Sequence, residues 1–189
     1  MGKIISLSGP PASGKSRMAR ELMVRGYRPL LSVTTRPPRE NGERKEVEYT
    51  HVSARKFREM ASRNEFLWHI KHKGYRYGTE RKVVEEALLG SAPHVAILLW
   101  EKAIELSDYL GSRGKGNDIC LIFLIAPKGI LWDRLRKRDG DTEKSRKNLL
   151  ESEGWLQLAV SSGRPFQIVS TRGNPLETRD QIVRIAERS

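Results

Sequence analysis

Short apolar runs alternate along the chain with longer stretches in which apolar residues recur every three or four positions. Runs of strand length cover residues 3–8, 30–33, 94–99, 119–125 and 166–169. Helical spacing covers residues 16–25, 79–89, 101–112, 129–138, 142–160 and 176–188. This alternation predicts an α/β fold, a five-stranded parallel sheet with helices on both faces, because strands buried on both faces are apolar throughout. A ligand site is then expected at the carboxyl ends of the strands.

Two segments interrupt the alternation and are predicted to be insertions at that edge of the sheet. In residues 34–78, prolines hold Arg36 and Arg39 on an extended loop, and later positions alternate as in a small antiparallel sheet. Residues 134–161 are rich in arginine and predict a helical lid, although a solvated charged hairpin explains any single residue there equally well. A chain of 189 residues suits one domain. Its predicted parts are a core (1–33, 79–133 and 162–189), an acceptor-binding insertion (34–78) and a lid (134–161).

The first apolar run leads into residues 9–16, which match the phosphate-binding pattern GxxxxGK[ST] at every fixed position. Glycines let the backbone N–H groups turn toward phosphates, and the start of the next helix adds a favourable dipole. A lysine at this place can bridge the outer phosphates, and a serine hydroxyl can bind Mg²⁺. We therefore predict an ATP site with Ser16 as the metal ligand. It comprises Gly9, Ala12, Ser13, Gly14, Lys15, Ser16 and Arg17.

The composition favours an anionic ligand. The chain has 35 lysine and arginine residues and 23 aspartate and glutamate residues, which gives a net charge of +12. Such a surplus suits nucleotides, phosphorylated small molecules or nucleic acid. The single cysteine, Cys120, excludes an internal disulfide and favours a reducing compartment. No apolar stretch is long enough to span a bilayer, so we predict a cytoplasmic protein with no membrane partner. The sequence does not predict an oligomeric state.

Beyond the phosphate loop, the string SVTTRPPRENGERKEVEYTHVSARKFREMASRNEF, followed by GYRYGT, resembles the guanylate kinase family of nucleoside monophosphate kinases. The resemblance covers nearly the whole chain. It implies a P-loop NTPase fold, with ATP on the loop, an acceptor nucleotide in the insertion and a lid that closes over both. It further implies acceptor contacts from Ser32, Arg36, Arg39, Tyr49, Tyr77 and Thr79, and donor contacts from the lid residues Arg134 and Arg138. The catalytic charges would be Lys15, Arg36, Arg134 and Arg138, together with Mg²⁺.

Some positions depart from the family pattern. Where the family carries a glutamate that reads guanine, this chain has Trp68, and where aspartates should follow the strand at 94–99 it has Leu98 and Trp100. A buried N–H group of guanine without an acceptor costs about 1 to 3 kcal/mol, which weakens the case for GMP. Two explanations stay open: Trp68 contacts a different acceptor, or a shifted register brings Glu65 or Glu101 to the site.

The function predicted from these observations is transfer of the γ-phosphoryl group of ATP to a phosphate monoester, most simply GMP or a related nucleoside monophosphate. One alternative is a sugar-phosphate kinase similar to the ribose 1,5-bisphosphate phosphokinases. Another is a catalytically weak guanylate kinase-like module that only binds its ligands, against which the intact Lys15 and Ser16 argue. A nucleic-acid binder is a third, but no recognisable nucleic-acid module accompanies the positive charge.

Overall fold

The computed structural model describes residues 3–38 and 49–188, and its strands form two β-sheets within those ranges. The strands are β1 (Ile4–Ser8), β2 (Arg28–Leu30), β3 (Ser32–Thr34), β4 (Tyr49–His51), β5 (Phe66–His72), β6 (Tyr75–Glu80), β7 (His94–Ile97), β8 (Ile119–Ile125) and β9 (Gln167–Ser170). The α-helices are α1 (Lys15–Val24), α2 (Ala54–Ser62), α3 (Arg81–Leu89), α4 (Trp100–Gly111), α5 (Lys128–Asp139), α6 (Glu143–Leu150), α7 (Trp155–Ser161) and α8 (Pro175–Arg188).

The larger sheet has five parallel strands in the order β2-β7-β1-β8-β9, which confirms the predicted architecture. Successive residues of a strand point to opposite faces, so each strand contributes to two apolar layers. Ile5 packs in the layer that contains residues of α1 and α8, whereas Ile4 packs in the layer that contains residues of α3 and α4. Cys120 lies in the first layer at 2% exposure, as expected of a core residue.

The predicted strand at 30–33 is divided between the two sheets. Leu30 ends β2 in the larger sheet, and Ser32 begins β3 in the smaller one. The smaller sheet has the order β4-β3-β6-β5. Its β3–β6 and β5–β6 pairs are antiparallel, but β4 runs parallel to β3, so the insertion is a mixed sheet rather than a purely antiparallel one.

The predicted helix at 142–160 is two helices, α6 and α7. Gly154, which precedes α7, has a φ of 86°, a left-handed conformation that no continuous helix contains. The turn between α5 and α6 passes through Gly140, whose φ is 79°. The Thr142 hydroxyl then caps α6 by accepting a hydrogen bond from the Ser145 amide. Leu149 is buried against α5 and forms the apolar core of this hairpin. None of the described helices is long and apolar enough to cross a membrane.

Gly78 is the tightest point of the smaller sheet. A Cβ atom there would lie 2.7 Å from the ring of Phe66, which belongs to the apolar cluster beneath the sheet.

We expect Gly78→Ala to lower the free energy of unfolding by about 1 to 3 kcal/mol, because the ring has to move. Urea unfolding would measure this loss. Gly129→Ala is the control: nothing lies within 4 Å of its Cβ position in α5, so a gain of up to about 1 kcal/mol is expected. Equal free energies of unfolding for the two variants would contradict a close contact between Gly78 and the Phe66 ring.

Candidate active site

A cleft of about 930 Å³ lies where the phosphate loop, the smaller sheet and the lid helices meet. Nearly all the residues predicted for the donor and acceptor sites line it. They are Gly9, Ala12, Gly14, Lys15, Ser16, Arg17, Ser32, Arg36, Tyr49, Trp68, Tyr77, Thr79, Arg134 and Arg138. Ser13 is fully buried within the loop and is not among the lining residues. Arg39 lies outside the described residues, so its predicted role stays a prediction.

The phosphate loop has the backbone geometry of an anion site. Its φ angles are positive at Gly9 (138°), Ala12 (61°) and Gly14 (94°). At Gly9 the requirement for glycine is steric, because a Cβ atom would lie 2.3 Å from the carbonyl oxygen of Leu124. Gly14 caps α1 without a side chain, and the first turn of α1 carries no acidic residue. The N–H groups at this helix start are therefore not used by a side-chain cap and suit a phosphate.

Lys15 folds back over the loop that it follows. Its Nζ donates hydrogen bonds of 2.8 Å to the carbonyl oxygens of Gly9 and Pro10. These carbonyls fix the ammonium at the mouth of the loop, where it lines the cleft. The lysine is thereby placed beside the N–H groups that would hold the phosphates of a donor nucleotide.

Thr171, at the end of β9, connects the loop to the lid arginine. Thr171 is buried, with 7% of its surface exposed. Its hydroxyl donates a hydrogen bond of 2.9 Å to the carbonyl oxygen of Ser13. Arg134 donates from Nη1 to the Thr171 hydroxyl at 3.1 Å and from Nη2 to the Thr171 carbonyl oxygen at 2.7 Å. Two oxygens of one residue thus hold the guanidinium flat against the wall of the cleft. The sequence analysis did not find this role, although the position after the last parallel strand was the available signal.

Arg36 and two tyrosines form the second cationic part of the cleft. The Arg36 amide donates to the Thr34 hydroxyl at 3.1 Å, and His51 Nδ1 lies 2.7 Å from the Arg36 carbonyl oxygen. The Arg36 guanidinium lies 5.5 Å from the centre of the Tyr49 ring, and the rings of Tyr49 and Tyr77 meet edge to face at 5.6 Å. A guanidinium beside two phenols suits a phosphate monoester, which accepts hydrogen bonds on every oxygen.

From this cationic part, one row of side chains crosses the smaller sheet. Tyr49 pairs with Ser32, the Ser32 hydroxyl lies 2.9 Å from that of Thr79, and Thr79 pairs with Trp68. Directly opposed residues share a face of a sheet, and all four line the cleft. We call these residues the acceptor row. The row changes from phenol to hydroxyl to indole along its length.

The indole end of the acceptor row is apolar. Trp68 packs on the core layer that contains Leu98, and both residues line the cleft. Among the described lining residues the one carboxylate is Asp139, which belongs to the lid. Glu65 and Glu101, which a shifted register would have supplied, are not lining residues. Trp100 is not one either, and its buried Nε1 has no hydrogen-bond partner in the described part of the chain.

Two further side chains of the cleft, Arg138 and His72, interact with neighbouring charged groups. Arg138 binds Asp139 through two hydrogen bonds, from Nε at 2.8 Å and from Nη2 at 2.7 Å. His72 also lines the cleft. Burial and the nearby Lys73 ammonium lower the pKa of His72, and the carboxylates of Glu101 and Glu151 oppose this only in part. The lowered pKa of His72 favours the neutral imidazole at pH 7.

The geometry defines a class: an α/β protein with a phosphate-binding loop that faces a guanidinium and two phenols on an inserted sheet. The family model for guanylate kinase matches residues 1–99. The chain is 37% identical to the guanylate kinase of Thermobifida fusca over 186 residues, which cover 96% of this chain and 89% of that protein. It is 30% identical to the guanylate kinase of Rickettsia prowazekii over 193 aligned positions, covering 100% of this chain and 93% of that protein. The chain belongs to the guanylate kinase family.

Solved structures agree on the fold. The guanylate kinase from Anaplasma phagocytophilum superposes with a TM-score of 0.71 at 21% identity, covering 99% of this chain and 85% of that one. The tunicamycin resistance protein of Deinococcus radiodurans gives a TM-score of 0.54 at 17% identity, covering 97% and 95% of the two chains. The P-loop NTPase fold predicted from the sequence is thereby confirmed.

The Thr171 hydroxyl can be tested without removing any charged group. Thr171→Val keeps the shape of the side chain but leaves Arg134 Nη1 and the Ser13 carbonyl oxygen each short of one hydrogen bond. We expect ATP to bind about tenfold more weakly, as measured by titration calorimetry, because an unpaired buried polar group costs about 1 to 3 kcal/mol. Thr171→Ser retains the hydroxyl and should bind ATP like the parent chain. Unchanged affinity of Thr171→Val would contradict the assigned role.

Proposed function

We propose that the protein transfers the γ-phosphoryl group of ATP to the phosphate of a nucleoside monophosphate. The observation that carries the proposal is that the Lys15 loop and the Arg36–Tyr49–Tyr77 group line one and the same cleft. A protein that binds a single phosphate needs only one such group. Two of them in one cleft suit a reaction that joins two phosphates end to end.

The length of the acceptor row favours a nucleotide over a sugar phosphate. Its residues lie on four adjacent strands, so the row spans three inter-strand spacings, or about 14 Å. A phosphate held at the Tyr49 end leaves the two hydroxyls for a ribose and the indole of Trp68 for a base. A pentose phosphate would leave the apolar end of the row without a contact.

The apolar end also bears on which base is bound. Guanine presents two kinds of N–H donor on its Watson–Crick edge, and these need acceptors when water is excluded. Trp68 and Leu98 offer contact area but no side-chain acceptor. We therefore expect a base that is held by packing and aromatic contact, with little preference for the 2-amino group that distinguishes GMP from IMP.

The proposed reaction needs positioning and charge neutralisation rather than a general base. An oxygen of the acceptor phosphate attacks the γ-phosphorus in line, and the bond from that phosphorus to the β–γ bridging oxygen breaks, which releases ADP. The acceptor monoester is already largely ionised at pH 7, so no side chain has to remove a proton. Lys15 lies at the outer donor phosphates, Arg36 at the acceptor phosphate, and Arg134 and Arg138 close the cleft from the lid.

Mg²⁺ fits this site as a partner of the nucleotide. The described residues contain no cluster of three or more histidine, cysteine, aspartate or glutamate side chains suited to a metal ion. Ser16, on the first turn of α1, lines the cleft and would hold Mg²⁺ through its hydroxyl. A single protein ligand is sufficient because Mg²⁺ retains several waters and takes its other ligands from phosphates. When bound, the ion neutralises charge on the phosphates.

Replacement of the loop lysine tests the reaction. We expect Lys15→Ala to reduce the rate of phosphoryl transfer at least a hundredfold, because a charge beside the transferring group is lost in a site sheltered from water. Product formation by ³¹P NMR and folding by circular dichroism would measure the two consequences. Lys71→Ala, on the exposed side of β5, is the matched control and should keep the parent rate. Near-normal turnover of Lys15→Ala would refute the proposal.

A panel of acceptors tests the second half of the proposal. With ATP as the donor, purine nucleoside monophosphates should exceed ribose 5-phosphate and ribose 1,5-bisphosphate at least tenfold in kcat/KM, and GMP and IMP should differ by less than tenfold. Trp68→Ala should reduce the use of nucleotides and leave the rate with ribose phosphates unchanged. A preference for the sugar bisphosphate would favour a sugar-phosphate kinase. Binding of ATP without transfer to any acceptor would favour a binding module.

A further inference from the structure

The turn between β5 and β6 reaches across the cleft to the lid. Lys73 Nζ donates to the Asn148 side-chain oxygen of α6 at 2.5 Å. The same ammonium lies 3.3 Å from a carboxylate oxygen of Glu151, just after α6. Lys73 and Asn148 both line the cleft. We call Lys73, Asn148 and Glu151 the clasp, because they join the sheet of the acceptor site to the helix of the lid.

The backbone at the tip of the turn is unusual for a lysine. His72 pairs with Tyr75, so Lys73 and Gly74 alone form the turn, with φ angles of 51° and 84°. Two-residue turns of this kind favour asparagine, aspartate or glycine at their first position, because a side chain is strained at positive φ. The long cation at this position is not explained by the turn. Its bonds to the lid do explain it, and strained residues of this kind are typical of functional sites.

The charges at this junction favour the contact. The ammonium of Lys73 has two oxygen acceptors, one of them anionic, and its side chain is 27% exposed. The neighbouring His72 is held neutral by burial and by Lys73, so it adds no competing charge. Glu151 is 44% exposed, which places the pair partly in solvent and makes its contribution moderate and dependent on salt.

We propose that Lys73 is a positioning residue that holds the lid against the acceptor sheet while both substrates lie in the cleft. This proposal rests on the proposed function, because the clasp would act when ATP and the acceptor phosphate lie together in the cleft. Without the clasp each substrate still reaches its own contacts, but the cleft is closed for a smaller fraction of the time. Transfer then slows, and water reaches the γ-phosphate more often.

The first test removes the ammonium and keeps the stem of the side chain. Lys73→Met should lower kcat for transfer about three- to tenfold and raise the ratio of ATP hydrolysis to transfer, while the calorimetric affinity for ATP stays unchanged. Lys71→Met is the matched control, because Lys71 lies on the same strand, is exposed and is not part of the cleft lining. A loss of stability alone, with kcat and the hydrolysis ratio unchanged, would overturn the proposal.

The second test exchanges the charges. Lys73→Glu should impair transfer more than Lys73→Met, because it places like charges together, and adding Glu151→Lys should recover most of the loss. The salt dependence of kcat should shrink in Lys73→Met. If the double variant is no better than Lys73→Glu alone, the pair does not act as a clasp.

The third test does not depend on turnover. Spin labels at Lys56→Cys on α2 and Lys147→Cys on α6 report the distance between the acceptor insertion and the lid, and the buried Cys120 stays unlabelled. With ATP and an acceptor nucleotide, the parent chain should give a narrow distance distribution and Lys73→Met a broader one. Identical distributions in a chain that transfers phosphate would overturn the clasp and leave the proposed function standing. If the distance distribution broadens in Lys73→Met but no phosphate is transferred, the clasp would stand and the proposed function would be overturned.

Discussion

Several cations line a single cleft, and the fold gives three of them an oxygen partner. Lys15 is held by two loop carbonyls, Arg134 by both oxygens of Thr171, and Arg138 by the carboxylate of Asp139. Like charges at close range repel, and uncompensated cations would destabilise the folded chain. The partners remove this repulsion and hold the guanidinium and ammonium groups in place before any phosphate is bound.

The three cations differ in the type of oxygen that holds them. Carbonyl and hydroxyl oxygens carry only partial charge, so Lys15 and Arg134 keep their full attraction for a phosphate while their positions are fixed. Asp139 carries a whole charge and competes with a phosphate for Arg138. It also lies at the end of α5, next to the left-handed Gly140 that leads into α6. The cations with neutral oxygen partners thus contact the phosphate loop and the residue that follows β9, whereas the cation with a carboxylate partner lies at the end of α5.

The sequence predicted the parts of the structure that depend on neighbouring residues. The phosphate loop is determined by the spacing of Gly9, Gly14 and Lys15, and β1, β7 and β8 by apolar runs, so these were predicted. The division of residues 30–33 between two sheets was not predicted, because the run is continuous in the sequence and only the pairing partners of its two halves differ. The contacts of Thr171 and of the clasp were missed because the partners lie far apart in the sequence. Thr171 and Ser13 are 158 positions apart, and Lys73 and Asn148 are 75 apart, so no local pattern identifies these residues as partners.

The smaller sheet carries the phenolic side chains of the cleft on different strands from the indole of Trp68. Tyr49 lies on β4 and Tyr77 on β6, and Arg36 follows the end of β3. Trp68 lies on β5, the edge strand of the same sheet, and packs on the core layer that contains Leu98. A change at that edge leaves the pairing of the inner strands intact. If the protein acts as proposed, a change of acceptor base at this edge would leave the geometry of the two phosphate sites intact, because the reaction would depend on one side of the sheet and base recognition on the other.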